Sequence, residues 1–227
     1  MATSANTLEI NRSDEPIRLF KSDFLEFFTH IHPAVVVIIW LPVAAFFMWR
    51  AITSVPAGTS WAYIPLSFLL GIVLWTFTEY VMHRFVFHYD PKGERMQQFF
   101  FLFHGVHHAQ PQLKTRLVMP PIISIPMAIV FYTLFALVFG VLLDLPYLVA
   151  PTFSGFIVGY LVYDMIHYAT HHAPMKTTAI GLWVKQHHMR HHYQTNDQFY
   201  GVSTPLWDYV FGTMWAGKAS SISEQEG

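Results

Sequence analysis

Four apolar stretches, about Ile31–Met48, Trp61–Met82, Leu117–Leu143 and Tyr147–Tyr168, limit this chain to very few architectures. Each is long enough, or nearly so, to cross a hydrocarbon core, which takes roughly 20 residues as helix. Composition points the same way: of 227 residues 53% are hydrophobic and 12% charged, too apolar and too charge-poor for a soluble domain of this size. The predicted fold is an all-α membrane protein, four transmembrane helices with a cytosolic histidine-rich helical cap. Residues 1–30 read as an N-terminal tail and amphipathic lead-in, 31–218 as the integral membrane domain and 219–227 as a C-terminal tail. Pro42 in the first stretch, and Pro120, Pro121 and Pro126 in the third, predict kinked helices, which membrane spans tolerate. Arg50–Ser60 and Asp144–Pro146 read as short connections between antiparallel neighbours.

Charge and cysteine content exclude several classes. A net charge of −1 leaves no surplus of Lys and Arg to neutralise phosphates, so nucleic acid is not expected as a partner. The absence of cysteine rules out thiolate metal sites, iron–sulfur clusters and disulfides. Arg12, Asp14, Glu15, Arg18, Lys21, Asp23 and Glu26 all precede the first long apolar stretch, unlike a cleavable secretory signal. Of the 13 basic residues, all but Arg50 fall on one side of a four-span topology. They are Arg12, Arg18 and Lys21 in the tail, Arg84, Lys92, Arg95, Lys114 and Arg116 in the middle loop, and Lys176, Lys185, Arg190 and Lys218 after the fourth span. The positive-inside rule makes that side cytosolic, at the endoplasmic reticulum of a eukaryote or the inner membrane of a bacterium.

The same side carries the chemistry. Ten of the 14 histidines fall in four clusters: His83/His88, His104/His107/His108, His167/His171 and His188/His191/His192. Imidazole is the commonest protein ligand for iron, zinc and copper, and ten exceed what one ion can bind, so the clustering predicts a two-metal site. Residues three and four apart share a helix face, so His104, His107 and His108 can converge on one point, as can His188, His191 and His192. His167 and His171 form an (i, i+4) pair, with Asp164 one turn earlier, placed to orient a ligand or to bind directly. In an unbroken helix His83 and His88 would point about 140° apart at roughly 100° per residue, so the second span must end or distort near Arg84. Glu79, one turn before His83, can ligate or hydrogen-bond an imidazole, and with Asp164 it is expected to support the site by fixing ring orientation.

Other side chains have plainer readings. His30 and His32, near a membrane interface, read as amphipathic anchors. His172 and His187 each adjoin a ligand candidate, and His188 is preferred to His187 because it repeats the HxxHH spacing of His104–His108. Phe99, Phe100, Phe101 and Phe103 read as packing or interfacial lining, and Phe85, Phe87, Tyr160, Tyr163 and Tyr168 as candidate walls of a substrate site.

The strings HRFVFH, HGVHH and HHMRHH together resemble the eight-histidine signature of integral membrane hydroxylases and desaturases. Their spacing from His83 to His192 is similar to the fatty acid hydroxylase superfamily, sterol desaturase-like di-metal enzymes of the membrane. Within it EYVMHRFVFH, FHGVHHAQP followed by RLVMPP, YDMIHY and GVSTPLWDYVFGT resemble the fatty acid 2-hydroxylases, over about Trp75 to Trp215. The resemblance implies a di-metal centre under a cytosolic cap and an O2-dependent monooxygenase acting at carbon 2 of a long acyl chain, free or in a sphingolipid. It implies the ten clustered histidines as ligands. Many relatives in that family carry a cytochrome b5 domain that this N-terminal tail is too short to hold, so a separate cytochrome b5-like or ferredoxin-like donor with its reductase is expected. Leu113 stands where the family pattern has an aspartate.

Oxidising an unactivated C–H bond requires a redox metal, so two iron ions are expected, with O2 as co-substrate; zinc would be an inert occupant of the same nitrogens. A sterol or carotenoid hydroxylase or desaturase would share every one of these histidines. A divalent-metal transporter would also be polytopic and histidine-rich, but transporters usually place ligands near the membrane midplane, whereas these lie at its edge.

Overall fold

The computed structural model describes residues 10–13, 15–195 and 197–214, and among them the chain is helical with no strand. Asp14, Trp215, Lys218 and the expected tail 219–227 lie outside the described residues. A short helix α1 (Asp23–Phe27) leads into α2 (Pro33–Thr53), and α3 (Tyr63–Val81) returns across the bundle. Past α3 come α4 (Glu94–Phe100) and α5 (Val106–Ala109), followed by α6 (Pro121–Phe135) and α7 (Val149–His172). The chain closes with α8 (Ala179–Tyr193) and α9 (Leu206–Val210). Four helical stretches, Pro33–Thr53, Tyr63–Phe87, Lys114–Leu142 and Pro146–His172, are long and apolar enough to cross a membrane, within a few residues of the runs read from sequence. Both α2 and α6 continue as helix through their internal prolines, Pro42 and Pro126.

The fourth span is the hub. Seventy-two per cent of its apolar window is buried inside the protein, against 17% for the third span, which turns most of its surface outward. Both α2 and α3 pack along α7. Glycines make the α3–α7 approach possible: a Cβ on Gly155 would stand 2.0 Å from the Phe68 carbonyl oxygen, and one on Gly71 2.0 Å from that of Thr152. Small residues are the usual means of bringing membrane helices into backbone contact, because lipid supplies no hydrophobic drive between them. Trp75, Phe156 and Tyr160 fill the space beside this seam, with ring centroids 5.1–5.2 Å apart. Ser154 Oγ donates to the Ala44 carbonyl at 2.8 Å and Trp40 Nε1 to Ser124 Oγ at 3.2 Å, so polar atoms inside the bundle find partners on neighbouring helices. Ile38, Leu66, Ile129 and Val141 face outward from three of the spans, where a bilayer would cover them.

The distortion that His83 and His88 require is present. Helix α3 runs on as a π-helix over Met82–Phe87, and the His88 N–H donates to the His83 carbonyl at 3.2 Å, five residues back. One extra residue per turn brings two side chains five apart onto the same side, which an α-helix cannot do. A second π segment, Phe101–Gly105, leads into His104 and α5. The C-terminal ends of α3 and α7, the start of the third span and helix α8 therefore meet at one end of the bundle.

Candidate metal centre

At that end the ten clustered histidines come together as two groups of five. The first contains His83, His88, His104, His108 and His191, and the second His107, His167, His171, His188 and His192. Within each group, one ring nitrogen from every member lies within 4.8 Å of all the others. Nearest Nε2–Nε2 separations in the first are 3.1 Å for His83–His104 and 2.9 Å for His104–His108 and for His88–His191. In the second they are 2.9 Å for His107–His167 and His107–His192, and 3.0 Å for His171–His188. Two nitrogens at right angles about 2.1 Å from one ion would be about 3.0 Å apart, so these spacings suit neighbouring ligands of a single metal.

The HxxHH clusters do not each converge on one point, as helical spacing had suggested. His104 and His108 join the first group while His107 joins the second; His188 and His192 join the second while His191 joins the first. The reason is angular. Residues four apart differ by about 40° around a helix, whereas adjacent residues differ by about 100°, so (i, i+4) pairs share a target and the intervening imidazole faces another. Each cluster thus bridges both groups and fixes them side by side.

Burial and neighbouring imidazoles hold His88, His104, His107, His108, His188, His191 and His192 below histidine's ordinary pKa. They are therefore neutral near pH 7, with ring lone pairs free to coordinate. In the first group His83 Nδ1 hydrogen-bonds the Tyr200 carbonyl, and His191 Nδ1 that of Gln198 at 2.7 Å. Donation through Nδ1 leaves the Nε2 lone pair pointing into the group. Phe199, between the two accepting carbonyls, has a left-handed backbone at φ 59°. Holding a bulky residue there costs on the order of 1–3 kcal/mol, which the surrounding loop must offset.

The carboxylates act one step further out than expected. Among the described residues neither Glu79 nor Asp164 hydrogen-bonds an imidazole. Buried Glu79 accepts from the Val202 N–H at 2.6 Å and the Ser203 N–H at 2.8 Å, and also bonds the Ser203 hydroxyl. It pins the loop whose Tyr200 carbonyl meets His83. Asp164 accepts from the Met119 N–H at 3.2 Å and 3.3 Å, fastening the start of the third span. Sequence reasoning passed over Asp208, which is wholly buried. It accepts from the Tyr200 N–H at 2.9 Å, the Gly201 N–H at 2.8 Å and the Thr213 hydroxyl at 2.7 Å. His187 lies 3.3 Å from the same carboxylate and belongs to neither histidine group, nor does His172. The string GVSTPLWDYVFGT held the signal for Asp208: an acid flanked by turn formers and aromatics, with no charge partner in the string. His30 bonds Thr115 Oγ1 at 2.7 Å, and His32 Nδ1 caps α2 by accepting from the Ala34 N–H at 3.2 Å.

A mostly apolar cavity of about 370 Å³ reaches the histidines. His104 of the first group and His107 and His167 of the second line it, together with Phe87, Phe103, Tyr163 and Asp164. Of the candidate walls, Phe85, Tyr160 and Tyr168 do not line it. Its size falls in the usual range for small-molecule sites, roughly 300–1,000 Å³.

Known proteins resemble this chain in sequence and fold. The fatty acid hydroxylase profile matches residues 68–213. A dihydroceramide fatty acyl 2-hydroxylase of Arabidopsis thaliana is 37% identical over 202 residues, which cover 89% of this chain and 81% of that protein. The fatty acid 2-hydroxylase of Mus musculus is 33% identical, over 88% of this chain and 57% of its own length. A solved structure described as full-length scs7p with only the hydroxylase domain visible superposes with a TM-score of 0.76 at 34% identity, covering 87% of this chain and 72% of that one.

Proposed function

Because the chain belongs to the fatty acid hydroxylase family, we propose that it is a membrane enzyme that hydroxylates carbon 2 of a long acyl chain, free or within a sphingolipid such as a ceramide. The observation that carries this reading is an apolar cavity ending on imidazoles of both histidine groups. An acyl tail is the ligand such a cavity suits, and attack at carbon 2 is the reaction for which the similar dihydroceramide fatty acyl 2-hydroxylase and fatty acid 2-hydroxylase are named. In this reading residues 31–218 form the catalytic domain.

The donor set fits two metal ions: His83, His88, His104, His108 and His191 would hold one, and His107, His167, His171, His188 and His192 the other. Two iron ions so held would supply the redox capacity that an O2-dependent attack on an unactivated C–H bond requires. The remaining tasks fall to the chain itself. The walls exclude water and align the acyl chain, the Gln198 and Tyr200 carbonyls fix two imidazoles, and Glu79, Asp208 and Asp164 fix the backbone behind them. The excess of basic residues at the histidine end supports a cytosolic position for it. There Lys114, Lys185 and Arg190 offer positive charge to an acidic redox protein, an attraction that added salt weakens.

Expression in cells that lack their own 2-hydroxylase tests the proposal. The expected result is new 2-hydroxy acyl lipids that require O2; a desaturated sterol or hydroxylated carotenoid as sole product would overturn it.

A further inference from the structure

The cavity has a wall that the histidine motifs do not include. Leu19, Phe20, Leu25, Phe28 and Thr29, all N-terminal to the first span, line the same space as His104, His107 and His167. A segment before the first span is ordinarily loose, but this one is latched. Buried Arg116 donates to the Ile17 carbonyl, the Glu26 carboxylate and, at 3.2 Å, the Thr29 hydroxyl. The other Glu26 oxygen accepts from the Leu19 N–H at 2.9 Å and the Phe20 N–H at 2.8 Å. Gln110 clamps the segment from the other end, accepting from the Ile17 N–H at 2.8 Å and donating to the Glu15 carbonyl at 2.9 Å. Both anchors stand in the loop just after His108, so the segment is registered against the histidines.

The two faces of α1 differ in what they touch. Leu25 turns into the cavity, while Phe24 and Phe27 are 71% and 72% exposed and suit the membrane interface. An ionic latch that serves only to hold a tail down has no need of four large apolar side chains set against the reaction space.

We infer that residues 17–29 form the acyl-selectivity wall of this enzyme: Leu19, Phe20, Leu25 and Phe28 contact the acyl tail and set which chain lengths reach the histidines, and Arg116, Glu26 and Gln110 hold that wall in register. This rests on the acyl-hydroxylase reading above. A methylene gained or lost against a fitted apolar wall changes discrimination by roughly 10–200-fold, so a change of wall volume is read directly in product distribution.

The test uses the full chain in membranes given an equimolar mixture of acyl chains that differ in length. In Leu19→Ala and Phe20→Ala the ratio of longer to shorter 2-hydroxy products should rise about tenfold, with bound metal unchanged. In Glu26→Ala, where the wall is unlatched, the preference should flatten. A fatty acid carrying a photoreactive group near its methyl end gives a readout independent of turnover: in wild-type protein it should label residues 17–29, and excess unlabelled fatty acid should prevent this. Wild-type 2-hydroxylation with an unaltered length ratio in all three variants, and label confined to the membrane spans, would overturn the inference. Label on residues 17–29 from a wild-type chain that makes no 2-hydroxy product would support the wall and count against the hydroxylase reading instead.

Discussion

The two histidine groups are equal in number and built differently. The first depends on a loop: His83 and His191 are fixed by backbone carbonyls of residues 198–200, and that loop is fixed by Asp208 and Glu79. The second draws on helices alone, His107 from α5, His167 and His171 from α7, and His188 and His192 from α8. The Nδ1 atoms of His107, His188 and His192 find no hydrogen-bond partner among the described residues. The difference teaches that one half of the centre is oriented by hydrogen bonds and the other by packing. Mutations should therefore separate them.

The largest effect is expected from removing a nitrogen. His108→Ala takes one of five donors from the first group, and turnover should fall below detection while elemental analysis finds about one metal lost of the two. Equal loss of both ions would show that the groups do not bind independently. Next comes Asp208→Ala, which frees the 200–201 backbone and strands His187; first-group occupancy and activity should drop by about 10–100-fold with the second group retained. Glu79→Gln keeps one acceptor oxygen for the Val202 and Ser203 amides and should cost less, on the order of tenfold in activity. Asp164→Asn, whose partner Met119 lies in the third span, should leave first-group occupancy untouched. Wild-type metal content and rate in both Glu79→Gln and Asp164→Asn would remove these carboxylates from any supporting role.

The effect of pH on the metal-stripped protein is one of stability rather than of turnover. Burial holds His104, His108, His188 and His191 below the ordinary value, so as pH falls through about 6.5 the unfolded chain takes up protons that the folded chain refuses. Stability should decline between about pH 7.5 and about pH 5.5, and thermal melts of stripped protein should show it. Metal-loaded protein should decline further over the same window, because protons also compete with the ions.

Much of this is legible in the sequence. Long apolar runs fix the spans through the thickness of lipid, and ten clustered histidines announce a metal centre through their number alone. That the second span ends or distorts near Arg84 could be inferred because five-residue spacing conflicts with an α-helix; that the distortion is a π-helix over Met82–Phe87 could not. Division of the clusters was harder, since "same face" treats three- and four-residue spacings alike, whereas two ions side by side tell them apart. Glu79 and Asp164 stood out as acids within apolar stretches, but sequence could not show that they grip amides rather than imidazoles. Asp208 acts through near neighbours, Tyr200, Gly201 and Thr213, and its string carried a local signal, whereas the segment 17–29 is held by Gln110 and Arg116, more than 85 positions away, and no local pattern reports such partners.

The hub position of α7 bears on how the protein is made. Helices α2 and α3 leave the ribosome before α7, the helix they both pack against. His188, His191 and His192 follow later still. Neither histidine group can therefore be complete until α8 has been made, and the non-local contacts close last. By this order any metal would be taken up only after α8 is in place, and a nascent chain stalled before α8 would present the cell with paired spans but neither histidine group complete.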